Sequence, residues 1–389
     1  MHNFTLLVKV LNLYWILILL SACQSTSVQL SSSESILFDQ GFVGFSDLKL
    51  ESEQEVFYLD EDAIAFVSST IEPVKNKTDQ METLVKAIFD RSKLNLLYQG
   101  DANTTANDTF HSRAANCLSM SIMTYALATE AGFEVDFQEI MIPEYWTRRS
   151  GYSLLNGHIN LKLLAPHEPN VFLFNERSYL VDFDPQSARR GLPKKIVSKQ
   201  AILSMFYNNK GADALLNKDY LSAYAYFREA VLLQPNFHSA WINMGIVYRL
   251  NNYFSHAEKA YQHALNISPG SLTALENLAY LYTITGRNEE AGDLLAKVQS
   301  QRDSNPYYHV NLAEQEMEQK QWDQALAHFR KALSLDREKH EVYFGLARVY
   351  YEIGEFQQSA RNLKQARNRA TNSRDELKYQ SKLDFLSSL

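Results

Sequence analysis

The chain has 389 residues, 46% of them apolar and 12% aromatic, with only 14 Gly and 9 Pro. That composition excludes a collagen-like or mainly disordered chain, and at roughly 150 residues per domain it provides for two or three domains. The net charge of −7, from 45 acidic and 38 basic residues, argues against broad electrostatic binding to nucleic acid, and two cysteines exclude a disulfide framework.

At the N-terminus, Lys9 precedes an apolar run from Val10 to Leu20 broken by Asn12, and the segment ends Leu20-Ser21-Ala22-Cys23. The run is shorter than the about 20 residues of a membrane span and closes on small residues, as a secretion signal does. The last four residues resemble a bacterial lipobox. That resemblance implies cleavage after residue 22, acylation of Cys23 and a lipid-anchored protein of the cell envelope. Gln24 in place of Asp points to the outer membrane, facing the periplasm. Residues 23–47, with Ser25, Ser27 and Ser31 to Ser33, then read as a polar tether. Cys117 is left as a single thiol in an oxidising compartment, a position that needs either inert burial or a use for its reactivity.

Residues 48–190 read as one domain. Helical patterns cover Ala63 to Ile71 and Asp79 to Leu97, and a loop rich in Asn, Asp and Thr runs from Gly100 to Thr109. Asn116 can cap a helix over Cys117 to Ala131 that Gly132 ends in the left-handed conformation. Cys117 is thereby the first helical residue, where unpaired N–H groups and the helix dipole stabilise a thiolate. Strands follow over Glu134 to Ile142, His158 to Leu163 after the Asn156-Gly157 turn, and a hairpin of Val171 to Asn175 with Tyr179 to Phe183. Alternation puts His158, Asn160 and Lys162 on one face and Ile159, Leu161 and Leu163 on the other. Asp182 and Asp184 share a face, so either can reach a histidine on the neighbouring strand.

Cysteine on a helix start, histidine 41 residues later and an aspartate on the next strand follow the chain order of the transglutaminase-like cysteine-enzyme core. The resemblance covers about residues 80–190 and rests on Asn116-Cys117-Leu118-Ser119, Gly157-His158-Ile159-Asn160 and Leu180-Val181-Asp182. It implies a papain/transglutaminase-like α+β domain in which Cys117 is nucleophile, His158 general base and acid, and Asp182 the group fixing the imidazole tautomer. Asp184, directly before Pro185, is the alternative acid. His111 and His167 compete with His158. Gln99, and more weakly Trp146, are candidates for the second oxyanion donor. Neither a cofactor nor a metal is expected: no phosphate-binding glycine loop, paired metal-ligand motif or Gly-x-Ser-x-Gly elbow occurs. Residues 191–203 read as a solvated connector, part of a basic stretch with Arg189, Arg190, Lys194, Lys195 and Lys199.

From Ser204 a 34-residue period sets in. Small residues recur at the eighth position as Gly211, Gly245, Ala279, Ala313 and Ala347, and at the twentieth as Ala223, Ala257, Ala291, Ala325 and Ser359. Large apolar residues hold the twenty-fourth: Phe227, Tyr261, Leu295, Phe329 and Leu363. The pattern resembles five tetratricopeptide repeats over residues 204–373, an all-α solenoid closed by a capping helix in 374–389. The third unit is the least regular, with Asn288 where its siblings carry an aromatic. Asn209, Asn243, Asn277 and Asn311 share the sixth position of four units, and an amide both donates to and accepts from peptide backbone. They are candidates to hold a protein or peptide on the concave face.

Together these features predict a membrane-anchored thiol enzyme acting on amide bonds, by hydrolysis or acyl transfer, with the repeats recruiting its substrate. The other reading is a non-catalytic outer-membrane scaffold or assembly factor that binds partners through its repeats.

Overall fold

The computed structural model describes residues 35–90, 94, 96–141, 146–149, 152–155, 157–164, 178–183, 193–370 and 373–387. The signal segment, Cys23, His167, the strand expected at 171–175 and Asp184 lie outside the described residues. Contacts divide the chain into two compact units, one of residues 1–50 with 203–295, the other of residues 51–202 with 296–389.

In the second unit, helices α1 (Glu53–Phe57), α2 (Glu61–Ile71) and α3 (Lys77–Phe89) come first. Each starts at a side-chain cap, Ser52, Asp60 and Asn76 respectively. The second helix expected from sequence ends at Phe89 rather than Leu97, with Asp90 extended and β1 (Leu97–Tyr98) beginning within the expected span. Part of the expected Asn-rich loop is helical as well. Thr105 caps α4 (Ala106–Ser112), which closes on Arg113 in the left-handed region. Strand β2 (Ala114–Ala115) pairs in parallel with β1 and leads into α5 (Cys117–Glu130).

Helix α5 ends as its sequence requires: Gly132 adopts φ +79°, and the Phe133 amide returns to the Ala128 carbonyl at 3.0 Å. The turn feeds β3 (Glu134–Ile140). Two short strands, β4 (Trp146–Arg149) and β5 (Tyr152–Leu155), pair with each other. The main sheet is antiparallel in the order β7 (Ser178–Val181), β6 (His158–Leu164), β3, β8 (Lys194–Val197). Its core is Phe137, Leu161, Leu163 and Val181 beneath α5, with Tyr125 stacked on Phe137 at 4.7 Å.

Residues 191–203, expected as a solvated connector, instead supply β8 and the start of α6 (Lys199–Leu216). Lys194 and Lys195 sit on an edge strand opposite Ile140 and Glu139, where charge is tolerated because one side of the strand meets water. Lys199 pairs with Glu53 at 3.0 Å and lies over the Phe57 ring.

The C-terminal part is an all-helical solenoid of helix pairs. In the first unit, α6 is followed by α7 (Tyr220–Leu233), α8 (His238–Leu250), α9 (Phe254–Ile267), α10 (Leu272–Ile284) and the start of α11 (Asn288–Arg302). The eighth-position small residues have a steric cause. A Cβ on Gly211 would come within 2.7 Å of the Phe227 ring, and one on Gly245 within 2.4 Å of Tyr261, so each glycine lets two helices close on an aromatic. The second unit continues with α12 (Pro306–Glu318), α13 (Trp322–Leu335), α14 (His340–Glu352), α15 (Phe356–Arg369) and the closing helix α16 (Ser373–Ser387). There Phe329 packs with Ala313, Ala325 and Leu346, while Leu363 and Ala366 pack with Tyr379 and Leu383 of α16. Among the described residues no helix is long and apolar enough to cross a membrane.

Candidate functional site

Two regions carry the residues that the sequence singles out. The first lies in the second unit. Asn116 has extended backbone and its Oδ1 accepts from the Ser119 amide at 2.9 Å, fixing Cys117 as the first residue of α5. The cap is itself held. Its Nδ2 donates to Asn103 Oδ1, its own amide donates to the Ala102 carbonyl at 3.1 Å, and Ser119 Oγ accepts from the Thr104 amide at 3.0 Å. Loop 99–104 is thus stitched to the helix start that bears the half-buried Cys117 thiol.

Gln99, the oxyanion candidate, lies beside this start because its backbone N–H donates to the Ala115 carbonyl at 3.0 Å. That bond consumes the backbone donor and leaves only the side-chain amide of an exposed residue for the expected role. Trp146 opens β4.

His158 opens β6 and is 4% exposed. Its Nε2 lies 2.7 Å from Asp182 Oδ1, and Asn160 Nδ2 donates to Asp182 Oδ2 at 3.1 Å. The register explains the cluster. Leu161 pairs with Val181, so Asp182 follows opposite Asn160, two residues from His158 on the same face. Opposite a carboxylate, which only accepts, Nε2 is the donor and Nδ1 the basic nitrogen. Asn160, fully buried, is a member of the group to which the sequence reading gave no role; its i, i+2 spacing from His158 was the available signal. Among the described residues its Oδ1 and the cross-strand Gln138 Oε1 are buried without a hydrogen-bond partner.

Cys117 and His158 belong to the same end of the sheet. Helix α5 folds back through Gly132 into β3, and the last residue of β3, Ile140, pairs with His158. Alternation puts His158, Asn160 and Asp182 on one face of the sheet and Phe137, Leu161 and Val181 on the other. His111, a competitor, makes a like contact, with Asp60 at 2.6 Å, but on the surface. The hydrogen bonds that Asp60 accepts, first from the Ala63 amide and then from His111, hold its carboxyl below the ordinary range. Among the described residues no group of His, Cys, Asp and Glu is arranged to hold a metal.

The second region is the repeat surface. Asn209, Asn243 and Asn277 lie half-buried on α6, α8 and α10 of the first unit, and Asn311 half-buried on α12 of the second. Asn243 Nδ2 donates to Asn208 Oδ1 at 2.8 Å, and Asn277 Nδ2 to the Thr273 carbonyl at 2.9 Å. Both keep an Oδ1 acceptor beyond the donor bond they make.

The first unit holds one arrangement that sequence reading assigned to a tether. Residues 36–47 lie against α7 to α9, with 3-10 turns at Asp39–Gly41 and Phe45–Asp47. Ile36 and Phe42 are buried there.

Family models for the tetratricopeptide repeat match residues 238–271 and 316–379. Mouse protein O-mannosyl-transferase TMTC3 is 29% identical over an alignment of 164 residues that covers 38% of this chain and 18% of that protein. The photosystem I assembly protein Ycf3 of Prochlorococcus marinus (strain MIT 9301) is 32% identical over 103 residues, 25% of this chain and 59% of the relative. The chain therefore spans less than two thirds of either relative. A solved structure of Pseudomonas aeruginosa PilF shows 18% identity over 49% of this chain and 90% of its own, with a TM-score of 0.27. With the period, the helix pairs and the family matches in agreement, the C-terminal part of this chain is a solenoid of tetratricopeptide repeats.

Proposed function

We propose that the chain is a protein-binding scaffold that holds its partner on the repeats. The observation that carries this reading is the repeat solenoid with half-buried asparagines at one repeated position of its helices. Stacked helix pairs make a surface far longer than a single pocket, and such surfaces suit extended chains. The relative Ycf3, named as an assembly protein, supports the same role. We further propose that the first unit's repeats carry Asn209, Asn243 and Asn277 on their inner, concave face, that Asn311 holds the equivalent position in the second unit, and that an acyl chain on Cys23 keeps the scaffold at the outer membrane, facing the periplasm. The test is recovery of a crosslinked partner from membranes with the four asparagines changed to Ala. Loss of that partner at unchanged thermal stability supports the face; unchanged recovery removes it. Metabolic labelling with an alkyne fatty acid, lost in Cys23→Ser, tests the anchor.

The buried group of His158, Asp182 and Asn160 favours a second reading, in which residues 48–190 form the papain/transglutaminase-like domain. There Cys117 attacks an amide carbonyl and His158 moves the proton. For this the thiol must reach hydrogen-bond range of Nδ1. Iodoacetamide labelling of Cys117 across pH decides it. An apparent pKa near the free-thiol value of about 8.5, unchanged in His158→Ala, ends the catalytic reading and leaves the scaffold untouched.

A further inference from the structure

The docked segment is bound in the manner of a peptide ligand. Tyr248 Oη accepts from the Phe38 amide at 3.0 Å and donates to the Ile36 carbonyl at 3.2 Å, and Tyr253 Oη donates to the Gly41 carbonyl at 3.2 Å. These grips on backbone are indifferent to side chain. Selection comes from what lies between them. Phe38 stacks on His256 at 4.0 Å, and Phe42 lies parallel to Tyr224 at 4.1 Å. Arg228 takes both oxygens of Asp39, at 2.9 and 3.2 Å, and Tyr224 Oη donates to the same carboxylate at 2.6 Å. A guanidinium fork engages a planar carboxylate through two parallel N–H bonds, which favours an acidic residue at this position of the peptide. Gly41 is fixed by sterics, because a Cβ there would fall 2.5 Å from the Phe38 ring and 3.0 Å from Tyr253.

Two further points separate a ligand from a mere connection. Tyr224 and Tyr248 are buried rings whose hydroxyls bond to this segment, so the surface without an occupant would expose their apolar faces. The site is also not the asparagine row. Asn243 and Tyr248 are five residues apart on α8, which at 3.6 residues per turn places them about 140° apart around the helix.

We propose that Tyr224, Arg228, Tyr248, Tyr253 and His256 form a recognition site for a Phe-Asp-x-Gly-Phe peptide. Residues 38–42 occupy it in cis as an exchangeable strap. A partner bearing that sequence competes with the strap, which has the advantage of being held in the same chain as the site. This inference rests on the scaffold reading and names the ligand chemistry of one of its faces. A failure here leaves partner recovery through the asparagine row unchanged, so the two are separable.

The experiment uses the full chain and a fluorescein-labelled peptide of residues 35–47, read by anisotropy. The variant Asp39→Ala/Phe42→Ala frees the site and is expected to bind the peptide at least about 10-fold tighter than the wild-type chain, whose strap competes. Adding Arg228→Asp sets like charges opposite each other and is expected to weaken that binding at least about 10-fold, and to restore it for a peptide carrying D39R. A freed chain with native circular dichroism that binds no better than wild type, up to about 1 mM peptide, overturns the proposal. Hydrogen exchange of the wild-type chain reads the same point without a variant. The Phe38 amide is expected to exchange by local opening, at least about 10-fold faster than the α8 amides. Protection equal to theirs makes the strap inseparable from the fold and overturns exchangeability. A dimer in light scattering, lost in the freed variant, overturns occupation in cis by assigning the strap to a second copy.

Discussion

His158 Nε2 and Asp182 Oδ1 lie 2.7 Å apart on neighbouring strands, both almost wholly buried, with Asn160 bonded to the other carboxylate oxygen. Asp182 is the acceptor for two buried donors. In Asp182→Ala both lose it, and a buried polar group left unsatisfied costs about 1–3 kcal/mol. Chemical denaturation should show a loss of about 3 kcal/mol, whereas His111→Ala, which breaks the exposed contact with Asp60 and leaves the α2 cap in place, should lose far less. This result is independent of chemistry at Cys117. A change in thiol labelling rate in the same variant would be the separate mark of a functional pair.

The repeat spacing makes two glycine substitutions opposite in sign. In Gly245→Ala the new methyl falls 2.4 Å from the fully buried Tyr261 ring, and overpacking of this kind costs about 1–3 kcal/mol. Gly292 sits exposed in α11 with nothing within 4 Å of its Cβ position, so Gly292→Ala should stabilise by about 0.4–1 kcal/mol through the unfolded chain. Differential scanning calorimetry of the two variants checks the pair.

Sequence made the repeats legible because each helix pair must solve the same packing problem, and Gly211 and Gly245 record it every 34 residues. The caps Asn116 and Gly132 were legible for a similar reason, since both answer to local backbone geometry. The third repeat is also informative: Leu295 at the twenty-fourth position is 44% exposed, where Phe227, Tyr261 and Phe329 are buried. The strap was not legible. Phe38, Phe42 and Phe45 fall at i, i+4 and i+7, a helical spacing, yet the segment forms only two 3-10 turns, and its partners lie about two hundred residues away, beyond any local rule. The same holds for β8, whose two lysines disguise an edge strand, and for Asn160, which becomes part of a site only once the register brings Asp182 opposite it.

Within the strap, Phe42 should matter more than Asp39. Phe42 is 4% exposed against Tyr224, and burying such a ring contributes about 1.5–3 kcal/mol. The Asp39 side chain is 45% exposed, so its pairing with Arg228 is screened and worth about 1 kcal/mol at most. Amide exchange at Phe38 should therefore accelerate more in Phe42→Ala than in Asp39→Ala, and added salt should affect only the wild-type carboxylate contact.

Acid should release the strap in two steps. Burial, and then the Lys259 charge, hold His256 below its ordinary value, so the docked state favours the neutral ring stacked on Phe38. Its contribution is complete above the free value of about 6.5 and declines as pH falls below it. Burial pushes the Asp39 carboxyl up, but hydrogen bonds from Arg228 and Tyr224 and the Arg228 charge outweigh this and hold it below the ordinary range. The released strap then binds the extra proton, so docking through Asp39 is intact above about pH 5 and lost as pH falls below about 3.9 toward the docked value. At the other limit, burial raises Tyr224 and Tyr248, so their contribution is intact below about pH 10 and is lost only in stronger base. The Phe38 amide chemical shift, followed from pH 8 to 3, should show a shallow change below 6.5 and a steep one below 4. His256→Phe should remove the first, since a phenyl ring keeps the stack without titrating. Asp39→Asn should remove the second, and Arg228→Met should move it to higher pH by taking away the charge that holds the carboxylate ionised.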